Sequence, residues 1–420
     1  MAAEPWADLV SPRVGVVKSL RKQARPAEEP EPPHLYTAQL ANFDFRAPDG
    51  NERLGAGKGW TPQEAQASAV GEAIERYCAF HWDPDRTFLA RVDELEVPAI
   101  TPADCVLYSE AQYARPDWEY RRFDPGEPVT WIAGERLPGG EPVAMPASLV
   151  YLAFPPPRPE DAFAASTSNG LAAGPTLEAA TLGGLCEVIE RDALMLAWLQ
   201  RLPATELDLD ASGALPAALR RHYAAIGVTL RAFALPTDLP ATVVLGIAFE
   251  DRPQRPAQVV GMGCHPTPSV ALTKALFELC QARPAEAARF RDDPPAGRLR
   301  GYEDVLTLDD HSAFAALPEQ RDEFAFLWAG GERAAAGELP DRGTGSAAGD
   351  VERCAAALDD AGHAAGRVEL TTSDVEGRGY RVVRVIAAGL QPIHFGFGME
   401  RLGGERLRGS ELNPCPHPMA

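Results

Sequence analysis

Three stretches of the chain repeat one pattern, in which a helix-forming segment carries polar groups one turn apart. The copies lie at residues 61–76, 176–191 and 267–281. The first two end in Glu-x-x-Glu-Arg, and the third has Glu-x-x-Gln at the matching place. Internal repeats predict structurally similar units. The fold therefore has to accommodate three similar helices.

The polar positions of each copy fall on one helix face, because residues at i, i+4 and i+7 lie on the same side of an α-helix. This alignment sets the polar groups in a line along each helix. The aligned residues are Ser68, Glu72 and Glu75 in the first copy, Gly183, Glu187 and Glu190 in the second, and Lys274, Glu278 and Gln281 in the third.

Two of the three copies carry a recognisable helix start. Thr61 followed by Pro62, with Glu64 closing a capping box, predicts the start of the first helix. Thr267 and Pro268 offer the same start for the third helix. The second copy lacks an acid at the third helical position, so its start is less defined.

The neighbours of these polar groups are mostly apolar, so we expect the three helices to be largely buried. A buried carboxylate without a partner is costly. Two acids one turn apart on each of two helices suit a hard cation, and Mg²⁺ that joins carboxylates to nucleotide phosphates is the common arrangement of this kind. The alternative is three unrelated amphipathic helices with local Glu/Arg pairs on a solvated surface. Three copies with matched polar positions favour the cation site.

Composition limits the class of protein. With 420 residues, 45% hydrophobic and 24% charged, the chain has ordinary globular values and length for a large core. The net charge of -20 argues against a nucleic-acid partner. Seven cysteines without a C-x-x-C pair argue against a disulfide framework and a zinc site. The sequence has no signal-peptide pattern and no long apolar run, so we expect a cytoplasmic protein without a membrane span.

Strand and loop signals alternate with the helices, which predicts one α/β domain with mixed sheets and repeated buried helices that converge. Residues 24–33 are rich in proline and acids and predict an exposed loop. Gly57-Lys58-Gly59 resembles a phosphate-cradling turn, which makes Lys58 a candidate nucleotide contact, although the rest of a Walker A loop is absent. Residues 330–349 predict a mobile loop. A helix is predicted at 214–225, and strands at 13–17, 35–39, 129–133, 147–153, 228–235, 241–249, 258–263, 323–328, 367–371 and 380–387.

From about residue 55 onwards the chain resembles the YcaO family, ATP-dependent enzymes that modify backbone amides of ribosomally made peptides. The resemblance implies a catalytic domain over residues 55–412, preceded by an N-terminal segment, residues 1–54, and followed by a tail, residues 413–420. The motifs that carry it are Ser68-x-x-x-Glu72-x-x-Glu75-Arg76, Ser166-x-x-Asn169-Gly170 with Glu187-x-x-Glu190-Arg191, and Glu278-x-x-Gln281-x-Arg283.

The resemblance also implies ATP and Mg²⁺ as cofactors and assigns residues to them. Arg76 and Arg191 pair either with phosphate or with neighbouring carboxylates, and the sequence leaves both options open. The implied metal and phosphate ligands are Glu72, Glu75, Glu187 and Glu190. The residues implied to complete the nucleotide site are Ser68, Ser166, Asn169, Glu278, Gln281 and Arg283.

The tail narrows the subclass that the resemblance implies. Pro414-Cys-Pro-His-Pro418 matches the PxPxP ending of azoline-forming members, whose carboxyl-terminal segment reaches toward the active site. Pro414, Pro416 and Pro418 are therefore expected to belong to the catalytic machinery. Met419 and Ala420 follow the last proline, which departs from the family pattern. A disordered proline-rich end is the alternative.

The implied reaction is cyclodehydration of Cys, or of Ser and Thr, in a precursor peptide. Formation of a thioamide or an amidine at the same ATP site is the first alternative, and a non-catalytic ATP-binding accessory role is the second. The expected partners are the precursor peptide and a separate leader-binding protein. The sequence does not fix the oligomeric state and leaves a homodimer open.

Overall fold

The computed structural model describes residues 4–41, 54–152, 158–409 and 411–419. Strands run through all of these ranges except the last. In chain order they are β1 (Val17–Lys22), β2 (His34–Leu40), β3 (Leu54–Gly59), β4 (Thr87–Ala90), β5 (Val129–Leu137), β6 (Pro142–Pro146), β7 (Leu171–Gly174), β8 (Thr205–Leu207), β9 (Val228–Leu235), β10 (Thr242–Glu250), β11 (Gln258–His265), β12 (Arg333–Ala334), β13 (Ala365–Glu369) and β14 (Arg381–Ala387).

The α-helices include one for each copy of the repeated pattern. In chain order the helices are α1 (Pro62–Phe80), α2 (Glu110–Tyr113), α3 (Ala147–Val150), α4 (Leu177–Leu199), α5 (Ala214–Ala225), α6 (Pro268–Asp292), α7 (Leu308–Ala315) and α8 (Ala347–Asp360). The repeat helices are α1, α4 and α6. None of the helices in the described ranges combines the length and apolar character needed to cross a bilayer.

The strands form three sheets. Their orders are β1-β2-β3, then β11-β10-β9-β8-β12, and β4-β5-β13-β14-β7 with β6 beside β5. Neighbouring strands are antiparallel except for β8 and β12, which are parallel. The predicted α/β fold with mixed sheets is confirmed.

Each repeat helix covers a different sheet. Helix α1 packs on β3, α4 on β7 and β14, and α6 on β11. Strand glycines allow this close approach: a Cβ on Gly57 would lie 2.1 Å from the Ala65 carbonyl oxygen of α1, and one on Gly263 would lie 2.3 Å from that of Ala271 on α6. The sheets thus hold the three helices with their polar faces toward a common centre.

The predicted side-chain capping is confirmed for α1, whereas α4 has a cap that was not predicted and α6 lacks one. Thr61 Oγ1 accepts a hydrogen bond from the Glu64 amide at 3.2 Å, and the Glu64 carboxylate accepts from the Thr61 amide, which completes the capping box. Thr176 Oγ1 accepts from the Ala179 amide at 3.1 Å. Thr267 is the residue before α6, but its side chain makes no capping hydrogen bond. Pro268 at the first helical position provides the start there.

Two strand predictions and one turn prediction are wrong. Residues 147–150 form α3, because Pro146 ends β6 and its fixed φ suits the turn that follows; residue 153 lies outside the described ranges. Residues 323–328 belong to a 3₁₀ helix, Pro318–Trp328, whose buried Phe324 and Leu327 follow the period of three. Lys58 lies within β3 rather than in a turn, because alternate residues of β3 are buried.

Several predicted loops and boundaries also shift. Only Val17 of the predicted strand at 13–17 belongs to β1, and α6 continues through Pro284 to Asp292. Residues 330–349 contain β12 and the start of α8. The segment at 24–33 is not fully exposed, since Glu29 is 7% exposed. Its carboxylate accepts a hydrogen bond from Tyr223 at 3.2 Å, so this segment is packed against α5.

Candidate functional site

The three repeat helices line one cavity of about 1190 Å³. Side chains from all three copies and from β3 reach it. Ten of the predicted cofactor-binding residues line this cavity: Lys58, Ser68, Glu72, Glu75, Arg76, Glu187, Glu190, Arg191, Glu278 and Gln281. The prediction that the three copies converge is therefore confirmed, whereas the roles of these residues remain predictions.

Glu72 is fixed between α1 and β3. Its carboxylate accepts a hydrogen bond from the Ala56 amide at 3.2 Å and forms an ion pair with Arg76 at 2.8 Å. Arg76 also donates to the Leu54 carbonyl oxygen at 2.6 Å. Burial raises the pKa of Glu72, and Arg76 opposes that rise. In this structure Arg76 therefore pairs with a carboxylate, the second of the options that the sequence left open.

Glu75 and Glu187 face each other from α1 and α4. The Glu75 carboxylate accepts from the Ala173 amide of β7 at 3.1 Å. Burial raises the pKa of Glu75 well above its usual range, and the charges of Glu187 and Glu72 raise it further. Burial also raises the pKa of Glu187, to about 7, against the influence of Arg191. The two acids are thus held in a place that disfavours two negative charges.

Arg191 lies between the two acids of its own helix. Its guanidinium is 3.9 Å from Glu187 and 3.4 Å from Glu190. Burial raises the pKa of Glu190, and Arg191 lowers it. Arg191 Nη1 has no hydrogen-bond partner among the described residues. Arg191 therefore pairs with carboxylates here and keeps a buried donor for a further acceptor.

A contact across the cavity joins β3 to the third repeat helix. Lys58 Nζ donates to Glu278 Oε2 at 3.0 Å. Burial acts to raise the pKa of Glu278, but Lys58 and Arg191 outweigh it and leave the pKa below its usual value. Lys274, one turn before Glu278, also lines the cavity. Lys274 was not predicted as a site residue, although it is the counterpart of Ser68 in the repeat alignment.

The donor set of the cavity fits Mg²⁺ bound together with a nucleotide. Six glutamates line it, and the four on α1 and α4 all have pKa values raised first by burial, so a cation would relieve their repulsion. Within the described ranges, no three Asp, Glu, His or Cys side chains are grouped closely enough to hold a metal ion alone. Mg²⁺ usually takes one or two carboxylates and completes its shell with phosphate and water oxygens.

Three predicted nucleotide residues lie outside this cavity. Ser166 and Asn169 line a smaller neighbouring cavity, and Ser166 Oγ donates to the Tyr151 carbonyl oxygen at 3.3 Å. Arg283 is 2% exposed and forms ion pairs with Glu29 at 3.0 Å and Glu250 at 3.2 Å. The guanidinium group of Arg283 on α6 thus binds one carboxylate from the N-terminal segment and one from β10. Arg283 therefore links these three elements in the interior of the protein.

The proline-rich tail is ordered and packs against the core. Trp198 Nε1 donates to the Cys415 carbonyl oxygen at 2.7 Å, and the His311 ring nitrogen Nδ1 bonds the His417 carbonyl oxygen at 3.0 Å. Pro418 and Met419 line a cavity that also contacts Glu278. Pro416 and Pro418 are buried, whereas Pro414 is exposed. The tail therefore lines a separate cavity that shares Glu278 with the cavity of the three repeat helices, and no tail proline lines the latter.

We expect the replacement Glu187→Gln to stabilise the ligand-free protein increasingly as pH rises. The folded-state pKa of Glu187 is about 7, above its usual 4.5. Between these values the folded state holds more protons than the unfolded state, so Glu187 makes stability fall with rising pH until about pH 7. The stability difference between variant and parent should grow over this window, on the order of 1 to 3 kcal/mol, and then level off.

Chemical denaturation at a series of pH values measures this difference. The replacement Glu178→Gln is the matched control, because Glu178 is exposed in the first turn of the same helix. A Glu187→Gln difference that stays flat with pH would show that the carboxyl group titrates normally.

Comparison with known proteins gives the family. A family profile described as YcaO cyclodehydratase, ATP- and Mg²⁺-binding, matches residues 56–391. An uncharacterised protein of Methanothermobacter thermautotrophicus is 31% identical over 369 residues, which cover 87% of this chain and 88% of that protein.

Several solved structures share the fold. One, described as a heterocyclase in complex with substrate and cofactor, has a TM-score of 0.81 at 26% identity and covers 99% of this chain and 57% of that one. YcaO from Methanopyrus kandleri, bound with AMPPCP and Mg²⁺, has a TM-score of 0.63 at 23% identity and covers 89% of this chain and 86% of that one. This chain thus spans little more than half the length of the heterocyclase. The profile match shows that the chain belongs to the YcaO family, with ATP and Mg²⁺ as its cofactors.

Proposed function

We propose that the chain is an ATP-dependent cyclodehydratase that converts Cys, or Ser and Thr, of a ribosomally made precursor peptide into thiazolines or oxazolines. The observation that carries the proposal is the position of Glu278. Its side chain lines the cavity of the three repeat helices and also the cavity formed by Pro418 and Met419 of the tail. Glu278 therefore connects the cavity of the acids with the cavity of the tail.

The chain's own residues would hold Mg²⁺ and ATP as follows. Glu72, Glu75, Glu187 and Glu190 are the proposed metal ligands, because their carboxylates line one cavity from two helices. Cationic groups at the cavity wall would contact phosphate oxygens. We assign this contact to Lys58, Arg191 and Lys274, with Ser68 and Gln281 beside them. When bound, ATP supplies the phosphoryl group that makes the amide oxygen a good leaving group.

The bond changes fall on the peptide. The side-chain thiol or hydroxyl adds to the preceding carbonyl carbon and gives up its proton, the carbonyl oxygen leaves with the phosphoryl group, and the amide nitrogen loses its proton as the C=N bond forms. The peptide loses one water in total, and ATP becomes ADP and phosphate. The protein contributes position and charge neutralisation.

The tail would act by shape rather than by a reactive group. Burial raises the pKa of the Cys415 thiol to about 12, so this thiol stays protonated and is a poor nucleophile. The proline rings restrict the backbone of the tail, and Pro418 lines the cavity beside Glu278. We therefore assign the prolines a positioning role. The proposed partners are the precursor peptide and a separate protein that binds its leader.

The proposal is tested by mass spectrometry of a Cys-containing peptide that is encoded next to the gene of this protein and has been incubated with the protein. We expect a loss of one water per ring that requires ATP, Mg²⁺ and the peptide's leader-binding partner, with ADP and phosphate formed in equal amounts. A peptide in which Ala replaces the target Cys is the control and should remain unchanged. Exchange of an amide oxygen for sulfur, in place of water loss, would favour a thioamide product and contradict the proposal.

A further inference from the structure

A second cavity adjoins the cavity of the repeat helices, on the other side of the segment at residues 165–169. It has a volume of about 60 Å³. Ser168 of the segment lines the cavity of the repeat helices, which we call the large cavity. Ser166 and Thr167 line the small one. Two arginines, Arg384 of β14 and Arg401, complete its wall. We refer to this small cavity as the arginine cavity.

Both arginines are buried, and neither has a carboxylate partner in the part of the chain that the structure describes. Arg384 is 7% exposed and Arg401 is 6% exposed. Arg384 Nη1 donates to the Thr167 carbonyl oxygen and Arg401 Nη2 to the Ala165 carbonyl oxygen, each at 2.8 Å. No carboxylate of the described residues forms an ion pair with either. Neutral carbonyl oxygens thus hold two permanent charges that usually require an anion when buried.

Buried hydrogen-bond donors remain unused in the same cavity. Arg384 Nε is buried and has no partner among the described residues, and Ser148 Oγ is in the same state. Both residues line the arginine cavity. Unsatisfied buried donors are rare and costly. Their presence beside two guanidinium groups indicates a missing acceptor with negative charge.

The electrostatics agree with this interpretation. Burial and the charge of Arg401 lower the pKa of Arg384 to about 10, although Glu187 and Glu75 of the large cavity act in the opposite sense. The two arginines therefore repel each other. Because Glu187 and Glu75 are close enough to influence Arg384, the arginine cavity borders the proposed metal ligands.

We propose that the arginine cavity binds one phosphate oxyanion, supplied either as the γ-phosphoryl group of ATP or as free inorganic phosphate. Its volume of about 60 Å³ exceeds the roughly 10–15 Å³ that one water requires, but it is far below the 1190 Å³ of the large cavity. It fits a compact ion and excludes a nucleoside. Guanidinium forks match phosphate oxygens in geometry and charge.

The proposal rests on the proposed function only for the source of the phosphate. Calorimetry measures the affinity of the full-length protein for inorganic phosphate, ADP and the ATP analogue AMPPCP, each with Mg²⁺. The variants are Arg384→Lys and Arg401→Lys, which keep the positive charge but lose the paired N–H donors of the guanidinium group. Arg406→Lys is the matched control, because Arg406 is a partly buried arginine whose fork is already saturated by Asp192 and Asp238.

We expect both variants to weaken phosphate binding about 10- to 100-fold, as the loss of charge-assisted hydrogen bonds predicts, and the control to change it little. Loss of free phosphate binding identifies free phosphate as the ligand. If free phosphate does not bind, but both variants lose AMPPCP affinity and keep ADP affinity, the γ-phosphoryl group is the ligand.

Other outcomes overturn the inference. Wild-type protein that binds no free phosphate and has equal affinity for AMPPCP and ADP contradicts it, without any variant and even if both lysine variants fail to fold. Phosphate binding that survives in both folded variants contradicts it as well. If neither nucleotide binds the wild-type protein, the proposed function fails instead, and phosphate binding alone then decides the inference.

Discussion

Azoline formation should fall at least about 100-fold when Glu75 or Glu190 is replaced by glutamine, in line with the loss of a preorganised electrostatic contact. MgATP affinity should fall about 10- to 100-fold in each variant, because a neutral amide cannot replace a carboxylate beside Mg²⁺. Glu75 is on α1 and Glu190 on α4, yet both line the same cavity. Similar losses from two different helices are what a shared metal site predicts.

A second measurement separates this role from a purely structural one. Burial raises the pKa of both carboxyl groups, and neighbouring acids raise that of Glu75 further. Replacement by the neutral amide should therefore stabilise the ligand-free protein at pH values where the acids are charged. The parent should gain more stability than the variants when MgATP is added.

Calorimetry and thermal unfolding with and without MgATP provide these data. The exposed Glu178 on α4, replaced by glutamine, is the control and should change neither affinity nor stability by much. Unchanged MgATP affinity in both Glu75→Gln and Glu190→Gln would falsify the assignment of a shared metal site.

The helical period explains which part of the site could be predicted from the sequence. Residues at i, i+4 and i+7 share a face, and the acids aligned by that rule do line one cavity. Arg283 is five residues beyond Glu278, which turns it by roughly 140° from that face. Its buried partner Glu29 is 254 positions away in sequence. Spacing alone could have excluded Arg283 from the row of polar residues that faces the cavity. It could not have identified Glu29 as the partner of Arg283.

Loops were predicted less well than helix faces. The motif Ser166-x-x-Asn169 has the expected residues, yet the path of the chain turns them into the arginine cavity and leaves Ser168 in the large one. Loop direction depends on contacts distant in sequence, here with Tyr151, Arg384 and Arg401. Arg384 and Arg401 belong to no repeated motif, so nothing in the local pattern marked them.

The fold shows the same division between periodic and aperiodic signals. The strands at β9, β10 and β11 agree with their predicted positions, because long apolar runs bounded by turns leave few alternatives. The stretch at 323–328 has a similar apolar content but folds as 3₁₀ helix after Pro318. Short apolar runs do not distinguish the two structures, and only packing against the core decides.

Loss of the tail, residues 414–420, should abolish azoline formation, because the tail carries Pro418 and Met419, which line a cavity together with Glu278. Deletion also removes buried groups. Met419 is 4% exposed and belongs to the main hydrophobic core, and His417 is 1% exposed. Truncation of a buried methionine alone costs about 2–5 kcal/mol. A deletion therefore mixes a catalytic with a structural effect.

Replacement of Pro414, Pro416 and Pro418 together by alanine separates the two effects. This triple variant keeps the buried side chains of His417 and Met419, so the protein should still fold. Its MgATP affinity should change about twofold at most, because the proposed metal ligands lie on α1 and α4. Azoline formation should fall at least about tenfold, because alanine frees the backbone that proline holds extended. Met419→Leu, which conserves volume, is the control and should retain activity. If the triple variant and the full deletion both keep forming azolines, seen as loss of one water per ring, the tail has no part in cyclodehydration and the thioamide alternative gains support.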